Sequence, residues 1–167
     1  MTTTILERPG LGPSLEHLRV ADAMHPGVVT CPLDTPLRVV AQMMAAHRIH
    51  CVIVLDSGLT NSPASGFCGV ISDLDLVEAA SAGDLDELTA RDSCLSAVLT
   101  VTPDETLSRA AQLIAENEVT HLVVVEPVSA QPLGVLSTLD LARALSASTG
   151  QVPLALPLHF NGNATPC

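Results

Sequence analysis

Gly69-Val70-Ile71-Ser72-Asp73-Leu74-Asp75-Leu76 returns 65 residues later as Gly134-Val135-Leu136-Ser137-Thr138-Leu139-Asp140-Leu141. Upstream, the match continues at an offset of 70 residues. Val28-Val29-Thr30 becomes Val98-Leu99-Thr100, and Ile49-His50-Cys51-Val52-Ile53-Val54-Leu55-Asp56 becomes Val119-Thr120-His121-Leu122-Val123-Val124-Val125-Glu126. The loop Ser57 to Gly66, rich in Ser, Gly, Asn and Pro, absorbs the five-residue change. An internal repeat of this length is one supersecondary unit that must bury its apolar face against something, and the other copy is the obvious partner.

Each copy reads strand, helix, strand, strand, helix. The first strands fall at Val28–Thr30 and Val98–Thr100. Thr35 is placed as an N-cap with Pro36 at the first helical position, where a missing N–H costs nothing. Leu37, Val40, Ala41 and Met44 then share one helical face, matched by Leu107, Ala110, Ala111 and Ile114. Val52-Ile53-Val54-Leu55 and Leu122-Val123-Val124-Val125 are unbroken apolar runs, mostly β-branched, which predicts strands covered on both faces. Third strands at Phe67–Ile71 and Leu133–Leu136 lead into second helices carrying Leu74, Leu76, Val77 and Ala80, or Leu139, Leu141, Ala142 and Leu145. The expected division is a leader at 1–18, repeat one at 19–82, repeat two with its linker at 83–147, and a tail at 148–167. The tail is rich in Pro, Gly and Asn, a composition open to disorder. The acidic stretch Asp84-Leu85-Asp86-Glu87 reads as a solvated linker face.

The chain has 167 residues, 47% of them hydrophobic, with no Trp or Tyr and only Phe67 and Phe160 as aromatics. Its core must therefore be aliphatic. No apolar run approaches the roughly 18 residues of a membrane span. The N-terminus lacks a basic start followed by an apolar stretch, so a cytoplasmic protein without a membrane association is expected. Net charge is −11, and all seven cations are arginines. That argues against nucleic-acid binding, which needs clustered Lys and Arg on phosphates, and removes lysine chemistry altogether. An anion site would have to use backbone amides, hydroxyls, histidines or single arginines such as Arg48. The five cysteines (Cys31, Cys51, Cys68, Cys94, Cys167) form no Cys-x-x-Cys pair and are expected to be reduced, with Cys51 buried as a small hydrophobe. His25, His47, Cys31 and His50 have no recognisable zinc spacing, so no metal site is assigned. No catalytic constellation emerges, and the chain is expected not to be an enzyme.

A tandem β-α-β-β-α unit, each copy closed by Gly-h-h-Ser-x-x-Asp-Leu (h apolar), resembles the cystathionine-β-synthase (CBS) domain family. Two such repeats look like a stand-alone Bateman module. The resemblance covers about residues 19 to 147 and includes Asp22-Ala23-Met24 at its start. It implies an α/β (α+β) fold of two repeats packed with pseudo-two-fold symmetry, although Ile53 and Val123 stand where family members often have Pro. It also implies two ligand clefts, each drawing on both copies. One would use the Met24 to Thr30 segment (Val29, Thr30) and Ile49 and His50, with Ser137, Thr138 and Asp140. The other would use Cys94 to Thr100 (Leu99, Thr100) and Val119, Thr120 and His121, with Ser72, Asp73 and Asp75. In such clefts a carboxylate can accept ribose hydroxyls, and a serine with helix N-terminal amides can hold phosphate. The same Ser-x-x-Asp spacing also fits a capping box.

The implied function is a regulatory sensor of AMP, ADP, ATP or S-adenosylmethionine, with no tightly held cofactor. The other reading is an interaction adaptor with vestigial clefts that docks an effector protein. A homodimer is expected, covering helix faces with Leu74, Val77, Leu141 and Leu145. The Asp140 cleft is expected to be the better phosphate binder, because Asp73 lies beside the serine of the other, while Arg48 and His50 flank the first and Glu118 and His121 the second.

Overall fold

The computed structural model describes residues 13–56, 67–94 and 98–148. In chain order the elements are α1 (Pro13–His17), α2 (Val20–Ala23), β1 (His25–Pro26), β2 (Thr30–Pro32), α3 (Leu37–His47), β3 (Cys51–Leu55), β4 (Phe67–Ser72), α4 (Asp73–Ala82) and α5 (Ala90–Ser93), followed by β5 (Thr100–Val101), α6 (Leu107–Asn117), β6 (His121–Val125), β7 (Pro132–Ser137) and α7 (Thr138–Ser148). The Ser57–Gly66 loop and all but the first residue of the expected tail lie outside the described residues.

Two sheets result, ordered β2-β3-β4 and β1-β7-β6-β5. In each, the repeat's first strand runs parallel to its second and the third antiparallel. Both central strands are buried along most of their length, as their unbroken apolar runs predict. Val52 and Val54 face helices of their own repeat, as do Leu122 and Val124. Ile53 points the other way and meets Val123 and Val125 in a small core between the sheets.

The first strands start later than expected. Thr30–Pro32 and Thr100–Val101 form the ladders, whereas Val28 and Val98 turn into the core between the sheets. The carbonyls of Val29 and Leu99 still accept bonds from Ile53 and Val123. Thr35 is not the N-cap of α3; Pro36 holds that place, as Thr106 does in the second copy. The carbonyl of Thr35 is instead engaged by the N–H of Ala90, and its hydroxyl reaches the Cys31 thiol. Leu141 is buried inside its own repeat, so the exposed large apolar positions of α4 and α7 are Leu74, Val77, Leu139 and Leu145. The acidic linker is anchored as well as solvated, because Asp84 and Asp86 both pair with Arg38 of α3.

The segment leading into each repeat binds the other repeat. Leu37 donates to the carbonyl of Leu88, and Leu107 to that of Leu18. Ala90 donates to Thr35 and Val20 to Glu105. Thus the orphan N–H at each first-helix start is satisfied from the opposite copy. Leu15 of α1 and Val20 of α2 are fully buried against the second repeat, and Ala90 of α5 against the first.

The motif glycines make room for these crossings. A Cβ on Gly134 would stand 2.2 Å from the carbonyl oxygen of His25, and one on Gly69 would stand 2.0 Å from Cys94 Sγ. At Gly134 the obstacle is backbone, so β1 must move. Gly134→Ala is expected to cost about 1–3 kcal/mol in denaturant unfolding. Gly83→Ala, with ordinary space around it, should stay within about 0.5 kcal/mol.

Candidate functional site

The two Ser-x-x-Asp motifs are capping boxes. Ser72 is the N-cap of α4: its N–H and hydroxyl donate to Asp75 Oδ2 at 2.6 and 2.7 Å, and the N–H of Asp75 donates back to Ser72 Oγ at 3.3 Å. Ser137 and Asp140 repeat the arrangement at 2.9, 2.5 and 3.4 Å. Beyond the box the two aspartates differ. Asp140 is only 3% exposed, and its Oδ1 lies 3.0 Å from His25 Nε2 and 3.2 Å from Arg143 Nη1. Asp75 is half-buried, and its second oxygen has no such partner among the described residues.

Two clefts open at these motifs. The larger, about 580 Å³, brings together Val29, Ile49, His50, Ser137 and Asp140. The smaller, about 140 Å³, brings together Ser72, Asp75, Leu99, Val119, Thr120 and His121. Four expected site residues, Thr30, Thr100, Thr138 and Asp73, line neither. Thr30 and Thr100 are engaged in the edge ladders of β2 and β5. Thr138 is exposed at the start of α7, with its N–H on the carbonyl of Thr120.

The larger cleft gathers basic side chains. His25, His47, Arg48, His50, His121 and Arg143 line it, two of the seven arginines and four of the six histidines, against Asp140 as its one carboxylate. The smaller has Asp75 and Glu118 with His121 alone to offset them. Arg48 and Glu118 occupy equivalent C-cap positions of α3 and α6, both in the left-handed region at φ 54° and 55°. The same turn therefore presents opposite charges to the two clefts. Arg143 escaped the sequence reading, although its position three residues beyond Asp140 on one helix was a usable signal.

Asp73 does not act as its position beside Ser72 suggested. It lines neither cleft and bonds His50 Nδ1 at 2.8 Å, while accepting from the N–H of Leu74. That hydrogen bond to His50 is the main reason its carboxyl is held below the usual range. Both partners are exposed, so the pair contributes little, on the order of 0–1 kcal/mol.

Cys51 is buried, and its thiol is pushed up to about 12, chiefly by burial. Cys31, Cys51, Cys68 and Cys94 are not in disulfides. Among the described residues no group of three or more His, Cys, Asp or Glu is arranged to hold a metal, and no helix is long and apolar enough to cross a membrane.

The CBS domain profile matches residues 20–82 and 91–147. The chain belongs to the CBS domain family. Solved structures agree with this CBS pair in fold. The CBS domain pair of protein MJ0100, in complex with 5'-methylthioadenosine and S-adenosyl-L-methionine, superposes with a TM-score of 0.66 at 17% identity, over 78% of this chain and 97% of that one. A putative signal-transduction protein with CBS domains from Burkholderia ambifaria gives 0.66 at 16% identity, over 80% and 96%. The CBS domain of a bacterial CNNM/CorC family Mg2+ transporter in complex with ATP gives 0.62 at 19% identity, over 79% and 89%. No curated protein sequence matches the chain.

His121 is half-buried, and loss of hydration is the leading effect that holds its imidazole below the ordinary histidine value, against the opposing pull of Asp73. The unfolded chain then takes up a proton more readily than the folded one. Stability attributable to His121 is present above the unfolded pKa of about 6.5 and is lost as pH falls toward the lower folded value. Replacing it, His121→Asn, should flatten the fall in unfolding free energy between about pH 7 and 5, read by denaturant titration at each pH.

Proposed function

We propose that this CBS pair is a non-enzymatic regulatory module that binds an adenine-containing ligand in its larger cleft, with AMP, ADP, ATP and S-adenosylmethionine as candidates. The gathering of six basic side chains around one cleft, in a chain of net charge −11, carries this reading. Its size falls within the roughly 300–1,000 Å³ of small-molecule pockets. In this reading Arg48, His47 and His50 meet phosphate, and Asp140 accepts ribose hydroxyls once His25 and Arg143 give up its outer oxygen. Ligands named for the MJ0100 pair and the transporter domain support the adenine class. A cytoplasmic setting, where such ligands are abundant, belongs to the same reading.

The clefts are unequal, and the Asp140 cleft is the better site for a phosphorylated ligand. The reason is its volume and its two arginines, Arg48 and Arg143, with the histidines beside them, since Asp73 is turned toward His50. Calorimetry should show ATP binding lost in Asp140→Ala and kept in Asp75→Ala. In wild type, free ligand at 100 times its dissociation constant should stabilise by about 2.7 kcal/mol in a thermal-shift series.

Arg48→Gly should separate function from stability. Glycine relieves a left-handed C-cap, raising stability by up to about 1 kcal/mol. Removing one unit charge roughly 6 Å from phosphate should weaken ATP binding by about three- to a hundredfold, or about 0.7–3 kcal/mol at an effective dielectric of about 20–80. Glu118→Gly should show the gain in stability without that loss.

A second reading is an adaptor that docks an effector protein, with clefts no longer used. The internally satisfied oxygens of Asp140 favour it. Silence of all four ligands in the thermal-shift series would select it. In either reading the exposed Leu74, Val77, Leu139 and Leu145 on α4 and α7 are covered by a second copy. Light scattering at micromolar concentration should give the mass of two chains.

A further inference from the structure

Among the described residues His121 alone lines both clefts. It stands at the first position of β6, with its Nδ1 2.8 Å from the hydroxyl of Thr120. Asp73 and Asp75 act on it from α4, His50 from the turn before β3, and Asp140 from α7. The larger cleft adds His25, His47, Arg48 and Arg143, and the smaller adds Glu118. From this placement we infer that His121 takes up a proton from solvent when a phosphorylated ligand enters the larger cleft, so that the module responds to nucleotide and proton concentration together. The inference rests on the nucleotide reading and adds the regulation of that site.

The chemistry is a balance between hydration and charge. In the free protein the imidazole loses more from its missing hydration than it gains from the surrounding carboxylates, so it stays neutral near pH 7. A phosphate in the cleft adds negative charge where water is already partly excluded, and there the imidazolium becomes the favoured form. The proton comes from bulk water, and the ring then donates toward the phosphate oxygen. By linkage, ligand affinity rises as pH falls, by up to about tenfold per pH unit for one full proton. Asp73, itself bonded to His50, pulls on the imidazole in the free state, but less than the missing hydration opposes it.

Calorimetry with ATP, in two buffers of different ionisation enthalpy at pH 6.5, measures the uptake. Wild type should take up a larger fraction of a proton than His121→Asn, and its ATP affinity should climb more steeply from pH 7.5 to 6. The titration of ATP itself is common to both proteins and cancels. His121→Gln serves if the asparagine variant fails to fold, and NMR titration of the His121 ring in wild type needs no variant. With ATP bound, that ring should titrate at higher pH than in the free protein. ATP binding with equal uptake in both proteins, or an unmoved His121 titration, would overturn the inference and leave the nucleotide reading standing. No ATP binding at any pH would overturn both.

Discussion

The contact of Ile53 with Val123 and Val125 is the constraint on which the structure depends. A central strand that is apolar on both faces cannot be left half-covered. In each repeat one face is occupied by the helices of that repeat, through Val52 and Val54 or Leu122 and Val124. The second face is taken by the sheet of the other repeat. Burying a side chain of this size contributes about 1.5–3 kcal/mol, so neither copy is a satisfactory domain alone. The duplication is therefore a folding requirement before it is a functional one.

Facing the sheets together brings the lead-in segments within reach of the opposite repeats. Each supplies the carbonyl that the other copy's first helix needs, and each passes over a motif glycine that has no Cβ to obstruct it. The crossing of β1 over Gly134 also carries His25 to Asp140. A backbone exchange that closes the fold thus places a side chain of one lead-in in the cleft of the other repeat.

Within this near-symmetric frame the two clefts are distinguished by a few substitutions. Arg48 and Glu118 leave the same left-handed turn with opposite charge. His50 is diverted to Asp73, whereas Thr120 at the equivalent place bonds its neighbour His121. Basic groups that are scarce in the chain collect at one cleft and acidic ones remain at the other. The asymmetry is electrostatic and volumetric, laid over a conserved backbone path.

By itself the sequence determined the repeat, the five elements of each copy and the strands buried on both faces, because these depend on periodicity and local propensity, and its duplicated motif carried the resemblance to the family. The family resemblance, carried onto both copies by the repeat register, named candidate cleft residues, of which Val29, Ile49, His50, Ser137 and Asp140 line the larger cleft and Ser72, Asp75, Leu99, Val119, Thr120 and His121 the smaller. The tertiary structure decided what each side chain faces. Asp73 stands beside Ser72 in sequence, yet it turns to His50, a residue 23 positions away. Leu141 looked like part of an exposed helix face and is instead buried in its own repeat. Arg143 and His25 converge on Asp140 across a separation of 118 residues between them. Hydrophobic pattern is written along the chain, but the partner of a charge depends on which segments cross, and crossing is settled only when the two sheets close.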